Sequence, residues 1–301
     1  MRVLIVGCGY VGLPLGAELV RQGHEVFGLR RHAPEELRGV GVTPLCADIT
    51  RPDTLKVLPR DFDWVINCAA SGGGSAEEYR QLYLEGNRNL GSWLADRPPR
   101  KFVYTSSTSV YAQNDGSLVT EHSPAQPEAP TARVLVETEA WLLAAARNQF
   151  PAVILRVAGI YGPGRGHAFK QFLRGEARIE GDGSRYLNMI HREDLSGVIR
   201  AALERGRAGE IYNAVDHEPV SQAAFFGWLA AELKRPVPPT VAAETEARRK
   251  RGVTNKRVSN AKLRAELAYQ FKYPDFRAGY RELCAEALRL SETLGVSCPI
   301  W

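Results

Sequence analysis

Short apolar runs and longer amphipathic stretches alternate along the first part of the chain. Residues 3–6 read VLIV, an apolar and β-branched run that is typical of a buried parallel strand. Residues 25–29 form a second such run, and the stretch between them predicts a helix over about residues 11–21, with Gly23 at its C-terminal cap. Strand, helix and strand in this order predict a βαβ unit.

The turn between the first strand and the first helix is rich in glycine. Residues 7–12 read GCGYVG, which is a G-x-G-x-x-G pattern. The first glycine permits a tight turn, the second lets the backbone approach a pyrophosphate, and the third lets the helix lie close to the strand. Because the helix also offers its N-terminal amides, we expect a dinucleotide to be held by Gly7, Gly9, Tyr10, Val11 and Gly12.

The end of the second strand indicates which dinucleotide binds. An acidic residue there would bond the ribose 2′-hydroxyl of NAD, but Leu29 is followed by Arg30 and Arg31. A guanidinium can hold a 2′-phosphate through two hydrogen bonds. We therefore predict NADP as the cofactor, with both arginines as contacts. The alternative is that the arginines are surface residues and that NAD is accepted.

Composition narrows the class of protein. The chain has 301 residues, 44% of them hydrophobic, which is enough for one large domain or for a main domain with a smaller lobe. No apolar run reaches the roughly 18 residues of a spanning helix, so we expect a cytoplasmic protein without a membrane partner. The five cysteines form no C-x-x-C pair, which predicts reduced thiols and no metal site.

The net charge of +5 is compatible with anionic small molecules and does not require nucleic acid. We expect a small-molecule substrate, with phosphate- or nucleotide-bearing compounds among the candidates. The densest basic run is either a solvated surface or a phosphate contact. It comprises Arg248, Arg249, Lys250, Arg251, Lys256 and Arg257.

Two families share this type of opening. The stretch GCGYVGLPLGAEL resembles the start of nucleotide-sugar dehydrogenases of the UDP-glucose/UDP-mannuronate type. Those enzymes are considerably longer, have an acidic residue where Arg30 stands, and use a cysteine nucleophile in a glycine-rich stretch. None of the later cysteines of this chain lies in such a stretch. The remainder of the chain favours the second family.

Nearly the whole chain resembles the extended short-chain dehydrogenase/reductase superfamily, or NAD-dependent epimerase/dehydratase family. The matching segments, in order, are LCADIT, WVINCAAS, KFVYTSSTSVYA, VILRVAGIYGPG, MIHREDLSGVI and EIYNAVDHEPVS. The resemblance implies that Asp48 contacts the adenine and that Ala69, Ala70 and Ser71 lie beside the cofactor ribose. It also places Ser106 in the serine-rich turn beside the nicotinamide.

The superfamily's catalytic residues are a serine and a Tyr-x-x-x-Lys pair, in which the lysine lowers the pKa of the phenol. The resemblance puts Ser107 at the serine position, with its hydroxyl neighbours as alternatives. It puts Thr131 at the tyrosine position and Leu135 at the lysine position. A threonine hydroxyl is a much poorer proton donor than an assisted phenol, and we expect Leu135 to pack on an apolar helix face.

Three other side chains could take part in the chemistry. Tyr161, in IYGPG, and Tyr111 could each donate a proton, or could be wall residues of the cleft. His191 has a suitable pKa range, although its segment in relatives is structural, with Asp194 capping the next helix. TSSTSVYA followed by RVLVETEAWL, without the pair, resembles the YeeZ-like branch of the family. That implies a retained cofactor fold.

These observations predict an α/β protein with a Rossmann-type doubly wound parallel sheet and a smaller C-terminal substrate lobe. The predicted cofactor domain comprises residues 1–161 and 188–216, and the predicted lobe comprises residues 162–187 and 217–301. We predict an NADP-dependent oxidoreductase or epimerase acting on a hydroxyl or carbonyl of a sugar-like or nucleotide-linked substrate. The alternative is a non-catalytic NADP-binding redox sensor or scaffold, and the superfamily's dimer face allows a homodimer.

Overall fold

The computed structural model describes residues 1–32, 35–242 and 254–294. The strands are β1 (Arg2–Val6), β2 (Glu25–Arg30), β3 (Thr43–Cys46), β4 (Trp64–Asn67), β5 (Lys101–Ser107), β6 (Leu118–Val119), β7 (Ala152–Val157), β8 (Gly159–Tyr161), β9 (Ile179–Glu180), β10 (Tyr186–Leu187), β11 (Met189–His191), β12 (Ile211–Ala214), β13 (Val220–Ser221), β14 (Thr240–Val241) and β15 (Arg257–Val258).

The α-helices are α1 (Gly12–Arg21), α2 (Glu35–Gly39), α3 (Pro52–Leu55), α4 (Ala76–Tyr79), α5 (Gly86–Trp93), α6 (Pro130–Arg147), α7 (His167–Leu173), α8 (Arg192–Arg205), α9 (Gln222–Glu232), α10 (Ala261–Leu267) and α11 (Phe276–Leu294). A π-helical segment (Arg80–Glu85) joins α4 to α5, and a 3-10 turn (Thr108–Val110) follows β5.

A seven-stranded sheet forms the centre of the fold, in the order β12-β7-β5-β4-β1-β2-β3, and all its neighbouring strands are parallel. From β1 the chain adds β2 and β3 on one side, then returns to add β4, β5, β7 and β12 on the other. The order therefore reverses between β1 and β4, where the turns that follow these strands lie side by side. Ligands of open α/β sheets bind at such a switch point.

Apolar side chains cover both faces of the sheet. One face packs against α1 and α8 through residues such as Leu15, Leu19 and Val198. The other packs against α3, α5 and α6, with Leu90 and Leu142 among its fully buried side chains. The two helical layers confirm the predicted doubly wound α/β class.

A second apolar cluster lies apart from the sheet layers and is built from α7, α9 and α11, with Phe169, Phe225 and Tyr280 at its centre. The three helices fall within the predicted substrate lobe, but the cluster also includes Tyr161 and Met189 of the predicted cofactor domain. However, Leu263 and Leu267 of α10 pack with the α1 and α8 layer, although the predicted boundaries assign residues 217–301 to the lobe. The division into two lobes stays a prediction. Helix α10 packs with the sheet layers and not with the second cluster.

Local predictions for the first unit agree with the structure closely. Helix α1 begins at Gly12, one residue after the predicted start, and Gly23 adopts φ +83° just after the helix, as a C-terminal glycine does. The segment between the 3-10 turn and α6 contains the short strand β6, which pairs with β15 in parallel. Because this pairing joins segments about 140 residues apart, turn composition alone did not indicate it.

Candidate functional site

The glycine turn after β1 has the geometry that a diphosphate requires. Gly7 adopts φ +78°, and a Cβ on it would lie 2.4 Å from the Ala69 backbone nitrogen. A Cβ on Gly12 would lie 2.8 Å from Ile5 Cγ2, so glycine is what lets α1 sit against β1. Gly9 faces the cleft, with Val11 beside it at the start of α1. The turn and the first amides of α1 therefore suit a dinucleotide.

Tyr10 connects the glycine turn to the opposite side of the cleft. Its hydroxyl donates to the Pro163 carbonyl at 3.1 Å. The guanidinium carbons of Arg165 and Arg192 lie 5.1 and 4.9 Å from the centre of its ring. The ring is thus held between two cations, and the backbone of Tyr10 stays in the glycine turn.

Two arginines lie at the rim where β2 ends. The Arg30 guanidinium forms an ion pair with Glu36 of α2, and its Nη2 would lie 3.5 Å from a Cβ on Gly9. Arg31 is exposed and also lines the cleft. The strand end therefore presents positive charge, while the nearest carboxylate is already paired with Arg30.

The turns after β3 and β4 line the same cleft. Asp48 Oδ1 accepts hydrogen bonds from the Thr50 amide and hydroxyl at 2.9 and 2.8 Å, which fixes the carboxylate at the cleft wall. Ala69, Ala70 and Ser71 line the wall after β4. The Ser71 amide donates to the Tyr83 hydroxyl at 3.0 Å, so the helical segment after α4 holds this turn.

At the end of β5 two serines have different roles. The Ser106 hydroxyl donates to Glu139 Oε1 at 2.6 Å, so it points to a buried carboxylate. Ser107 is half-buried at the cleft, and its Oγ accepts the Ser109 amide at 3.2 Å. Its hydroxyl hydrogen is still available to a ligand. Of the two predicted serine contacts, Ser107 is the one whose hydroxyl has a donor left for the cleft.

Helix α6 brings Thr131 to the cleft one turn before Leu135. Leu135 is 4% exposed and packs with Val110, Tyr111 and Val258, as its apolar character predicts. The helix sequence PTARVLVETEAWLLAAAR contains neither tyrosine nor lysine. No residue of α6 can therefore supply an assisted phenol.

A buried polar network lies behind the end of β5. Arg156 Nη2 is 2.7 Å from Glu139 Oε2, and both side chains are nearly inaccessible to solvent. Arg156 Nη1 donates to the Tyr111 hydroxyl at 2.8 Å, and that hydroxyl donates to Asn213 Oδ1 at 2.8 Å. Tyr111 therefore serves structure. Sequence reasoning missed this network, although an arginine inside the apolar run AVILRV was a signal.

Tyr161 and His191 are both deeply buried. The Tyr161 ring stacks on Tyr280, with centroids 4.3 Å apart, and its hydroxyl lies 3.5 Å from the Asp275 carbonyl. Burial raises the pKa of Tyr161 above its usual value.

His191 Nδ1 accepts the Glu193 amide and caps α8, and burial lowers the pKa of His191 to about 4. Asp194 does not cap that helix: its carboxylate accepts the amides of Lys272 and Tyr273.

The second side of the cleft carries cations that the sequence analysis did not single out as site residues. Lys256 is 5% exposed, and its Nζ donates to the Tyr111 carbonyl at 2.9 Å. Burial lowers the pKa of Lys256 to about 8. Arg185 Nε is buried with no hydrogen-bond partner among the described residues, and burial also lowers the Arg185 pKa. Of the two alternatives for the basic run, the burial of Lys256 disagrees with a solvated surface for this residue and leaves the phosphate contact untested. Residues 248–251 lie outside the described part of the chain.

The cleft has a volume of about 2020 Å³, larger than the roughly 300–1,000 Å³ of an ordinary ligand pocket. It extends from the glycine turn past Ser107 to Lys256, so it has room for a dinucleotide and a second molecule. Within the described ranges, no three His, Cys, Asp or Glu side chains group as metal ligands. In the same ranges, no helix is both long and apolar enough to cross a membrane.

A family model described as the NAD dependent epimerase/dehydratase family matches residues 3–214. The chain belongs to this family. Among curated relatives, Protein YeeZ of Escherichia coli (strain K12) is 31% identical over 285 residues, which cover 91% of this chain and 97% of that protein. A 2-alkyl-3-oxoalkanoate reductase of Stenotrophomonas maltophilia is 26% identical over 78% of this chain and 77% of its own length.

Solved structures agree with this membership. A putative NAD-dependent epimerase/dehydratase from Methylobacillus flagellatus is 33% identical, with a TM-score of 0.74 over 96% of this chain and 98% of that chain. The human epimerase family protein SDR39U1, solved with NADPH, has a TM-score of 0.76 at 22% identity, over 95% of this chain and 99% of that one. The first supports the family and the second the fold.

Proposed function

We propose that this family member is an NADP-dependent oxidoreductase or epimerase that acts on a hydroxyl or carbonyl of a sugar-like or nucleotide-linked small molecule. A bound nicotinamide would supply or accept the hydride. The chain's own residues would bind both molecules, orient the reacting oxygen and manage its proton. The observation that carries the proposal is the glycine turn opening onto one long cleft that also contains Ser107.

The preference for the phosphorylated cofactor rests on the end of β2. Arg30 lies next to Gly9, and Arg31 continues the positive rim. Among the described residues, β2 ends on Arg30 where a carboxylate would recognise a ribose 2′-hydroxyl, and the nearest carboxylate, Glu36, is paired with Arg30. Two guanidiniums suit a 2′-phosphate better than a neutral diol, because charge-assisted bonds to phosphate are stronger than neutral ones.

The reacting end of the substrate would lie against Ser107. Its Oγ already accepts the Ser109 amide, which fixes the hydroxyl so that its hydrogen can be donated to a substrate oxygen. Thr131 contributes a second hydroxyl from α6. We assign Ser107 to orienting the oxygen, and we do not assign proton transfer to Thr131 because an alkyl hydroxyl is too weak an acid.

The arginine on the other wall suits a substrate that carries an anionic group. Arg185 lines the cleft, and its Nε is buried with no hydrogen-bond partner among the described residues. The Stenotrophomonas relative is named for a 3-oxoalkanoate, which combines a ketone with a carboxylate. A substrate panel should therefore contain 3-oxo acids with their esters, and nucleotide-linked 4-keto sugars.

Cofactor preference is tested by thermal unfolding with NADP, NADPH, NAD and NADH. A ligand present at a hundredfold excess over its Kd should stabilise by roughly 2.7 kcal/mol. We expect the shift with NADPH to exceed that with NADH, and Arg30→Ala to remove most of the difference. Arg38→Ala is the matched control, since Arg38 is an exposed arginine of α2 outside the cleft. Equal shifts with both cofactors would contradict the assignment.

Activity is tested by following NADPH consumption with the substrate panel. We expect Ser107→Ala to lower kcat on at least one substrate by a factor on the order of 100, while the NADPH-induced thermal shift is retained. Ser92→Ala, at an exposed position of α5, is the control. Full turnover in Ser107→Ala would remove Ser107 from the mechanism.

A non-catalytic NADP-binding redox sensor or scaffold is the second candidate, and the composition of α6 favours it because that helix has neither tyrosine nor lysine. This candidate requires NADP and NADPH to bind with different conformational responses and no panel compound to be turned over. Protease-digestion patterns with each cofactor would reveal that difference. The homodimer stays a prediction, and light scattering would test it by measuring the molar mass in solution.

A further inference from the structure

The main chain of Lys256 is anchored on both sides. On one side, the amides of Asn255 and Arg257 donate to the Gln113 and Ser117 carbonyls at 3.1 and 2.9 Å. On the other, Asn188 Nδ2 donates to the Lys256 carbonyl at 2.9 Å, and Asn188 Oδ1 accepts the Val258 amide at 2.8 Å. The lysine backbone therefore has one defined position between the β6 segment and the segment after β10.

The ammonium group is buried and has no counterion among the described residues. Within the same residues its hydrogen bond to the Tyr111 carbonyl uses one of its three N–H donors. No acidic side chain of the described residues pairs with it, and burial alone accounts for the lowering of its pKa to about 8. Because an uncompensated buried charge is costly, a lysine kept at the wall of a cleft indicates a role with a ligand.

The Lys256 ammonium lies near the part of the cleft where α6 presents Leu135 instead of a charged side chain. Tyr111, whose carbonyl it contacts, stands four residues after Ser107, at the end of the turn that follows β5. The Tyr111 side chain packs in the same apolar cluster as Leu135 and Val258. The C-terminal segment thus brings a lysine to the Ser107 turn, whereas α6 contributes leucine there.

We propose that Lys256 is a catalytic residue that donates a hydrogen bond, and then a proton, to the reacting oxygen of the substrate. This assignment rests on the proposed oxidoreductase function. In carbonyl reduction the C=O π bond breaks, the carbon receives the hydride that reduced nicotinamide supplies, and the oxygen takes a proton from Lys256 Nζ. The neutral amine then regains a proton from water.

Among the described residues, burial sets the pKa of the Lys256 ammonium, and no neighbouring titratable group contributes to it. On the described segments packed against it, the titratable side chains are Tyr111 after β5, Arg185 and Tyr186 at the start of β10, and Arg257 next in the chain. The Tyr111 phenol is bonded to Arg156 and Asn213, and burial raises its pKa. Arg257 stacks on Tyr186 and donates to the Gly116 carbonyl. The amine should therefore lose its proton, and reduction should slow, as pH rises through about 8.

The kinetic test compares wild type with Lys256→Met, Lys256→Arg and Lys262→Met, using NADPH and the 3-oxo acid and 4-keto sugar panel. Lys262 of α10 is the control, because it is paired with Glu210 and does not line the cleft. We expect Lys256→Met to lower kcat by a factor on the order of 100, and Lys256→Arg to abolish the inflection near pH 8. All variants should retain the NADPH-induced thermal shift.

A second measurement does not depend on turnover. The lysines are methylated reductively with ¹³C-formaldehyde, and the resonance that disappears in Lys256→Met is titrated by NMR. A midpoint near 8 and a shift on adding NADPH are expected for Lys256, but not for Lys262.

A midpoint at the ordinary lysine value of about 10.4, or turnover that persists in Lys256→Met, would overturn the assignment and leave the oxidoreductase proposal intact. Loss of the NADPH-induced shift in both Lys256 variants would make the lysine a structural or cofactor-holding residue instead. If wild type binds NADPH but reduces no compound of the panel, the proposed function fails, and the proton-donor role fails with it.

Discussion

Replacing Arg156 by methionine should destabilise the protein severely. The Arg156 and Glu139 side chains are 5% and 4% exposed, and Nη2 lies 2.7 Å from Oε2. Without the guanidinium, Glu139 is a buried carboxylate whose remaining polar contact is the Ser106 hydroxyl. Removing one partner of a buried ion pair costs about 3–5 kcal/mol. The Tyr111 hydroxyl also loses a donor, which adds about 1 kcal/mol.

An ion pair of the same length at the surface should contribute much less than the buried pair. Arg80 Nη2 also lies 2.7 Å from a carboxylate of α6, Glu137, but these side chains are 38% and 48% exposed. Exposed pairs contribute about 0–1 kcal/mol, so Arg80→Met should have little effect. Removing both buried charges, in Arg156→Met with Glu139→Gln, should recover most of the loss, because a neutral replacement of a buried pair is often tolerated.

Urea unfolding followed by circular dichroism gives the free energy of unfolding for the two single variants, the double variant and Arg80→Met. A double-mutant cycle then yields the coupling between Arg156 and Glu139, which we expect to exceed about 2 kcal/mol. If Arg156→Met costs no more than Arg80→Met, or if the coupling is close to zero, burial does not govern this pair and the argument is refuted.

Three further predictions address single residues. Gly7→Ala should lower the free energy of unfolding by about 2 kcal/mol more than Gly23→Ala in urea titrations. Both glycines have positive φ, but only a Cβ on Gly7 would lie against backbone atoms. Equal losses would contradict the close approach at Gly7. Of the four cysteines in the described ranges, Cys46 is exposed, whereas burial raises the pKa values of Cys8, Cys68 and Cys284 to about 12. A disulfide reagent at neutral pH should therefore modify Cys46 before the other three in peptide maps; faster labelling of Cys68 would contradict this. Burial lowers the pKa of His191 to about 4, so the histidine of the unfolded chain is protonated at a higher pH than that of the folded chain. The free energy of unfolding should therefore fall by up to about 3 kcal/mol as pH drops from about 6.5 to 4. His191→Asn should lose less stability over that range, and an identical pH dependence would show that this histidine is not responsible.

How far the sequence predicts the site depends on how local each feature is. The strand, glycine turn and first helix follow from short-range rules, because positive φ, a close helix approach and a capping glycine each need particular residues at adjacent positions. Gly7, Gly12 and Gly23 accordingly adopt the predicted roles. The family resemblance extended this prediction to the turns after β3, β4 and β5, which do line one cleft.

Other features depend on residues far apart in the chain. Lys256 meets a carbonyl 145 positions earlier, and the pairing of β15 with β6 that carries it there has no local signature. From its basic neighbours alone, this lysine was expected on a solvated surface or at a phosphate. The Ser106 hydroxyl likewise faces Glu139, 33 residues later, instead of the cofactor turn.

The sequence by itself determined the dinucleotide-binding unit, the parallel α/β class and a helix α6 without tyrosine or lysine. Tertiary structure alone decided that Arg156 and Glu139 pair behind β5, that Tyr161 stacks within an apolar cluster, and that Lys256 faces the cleft. The physical reason is that backbone conformation follows from neighbouring residues. The burial, charge partners and proton affinity of a side chain are set by whatever the folded chain brings against it.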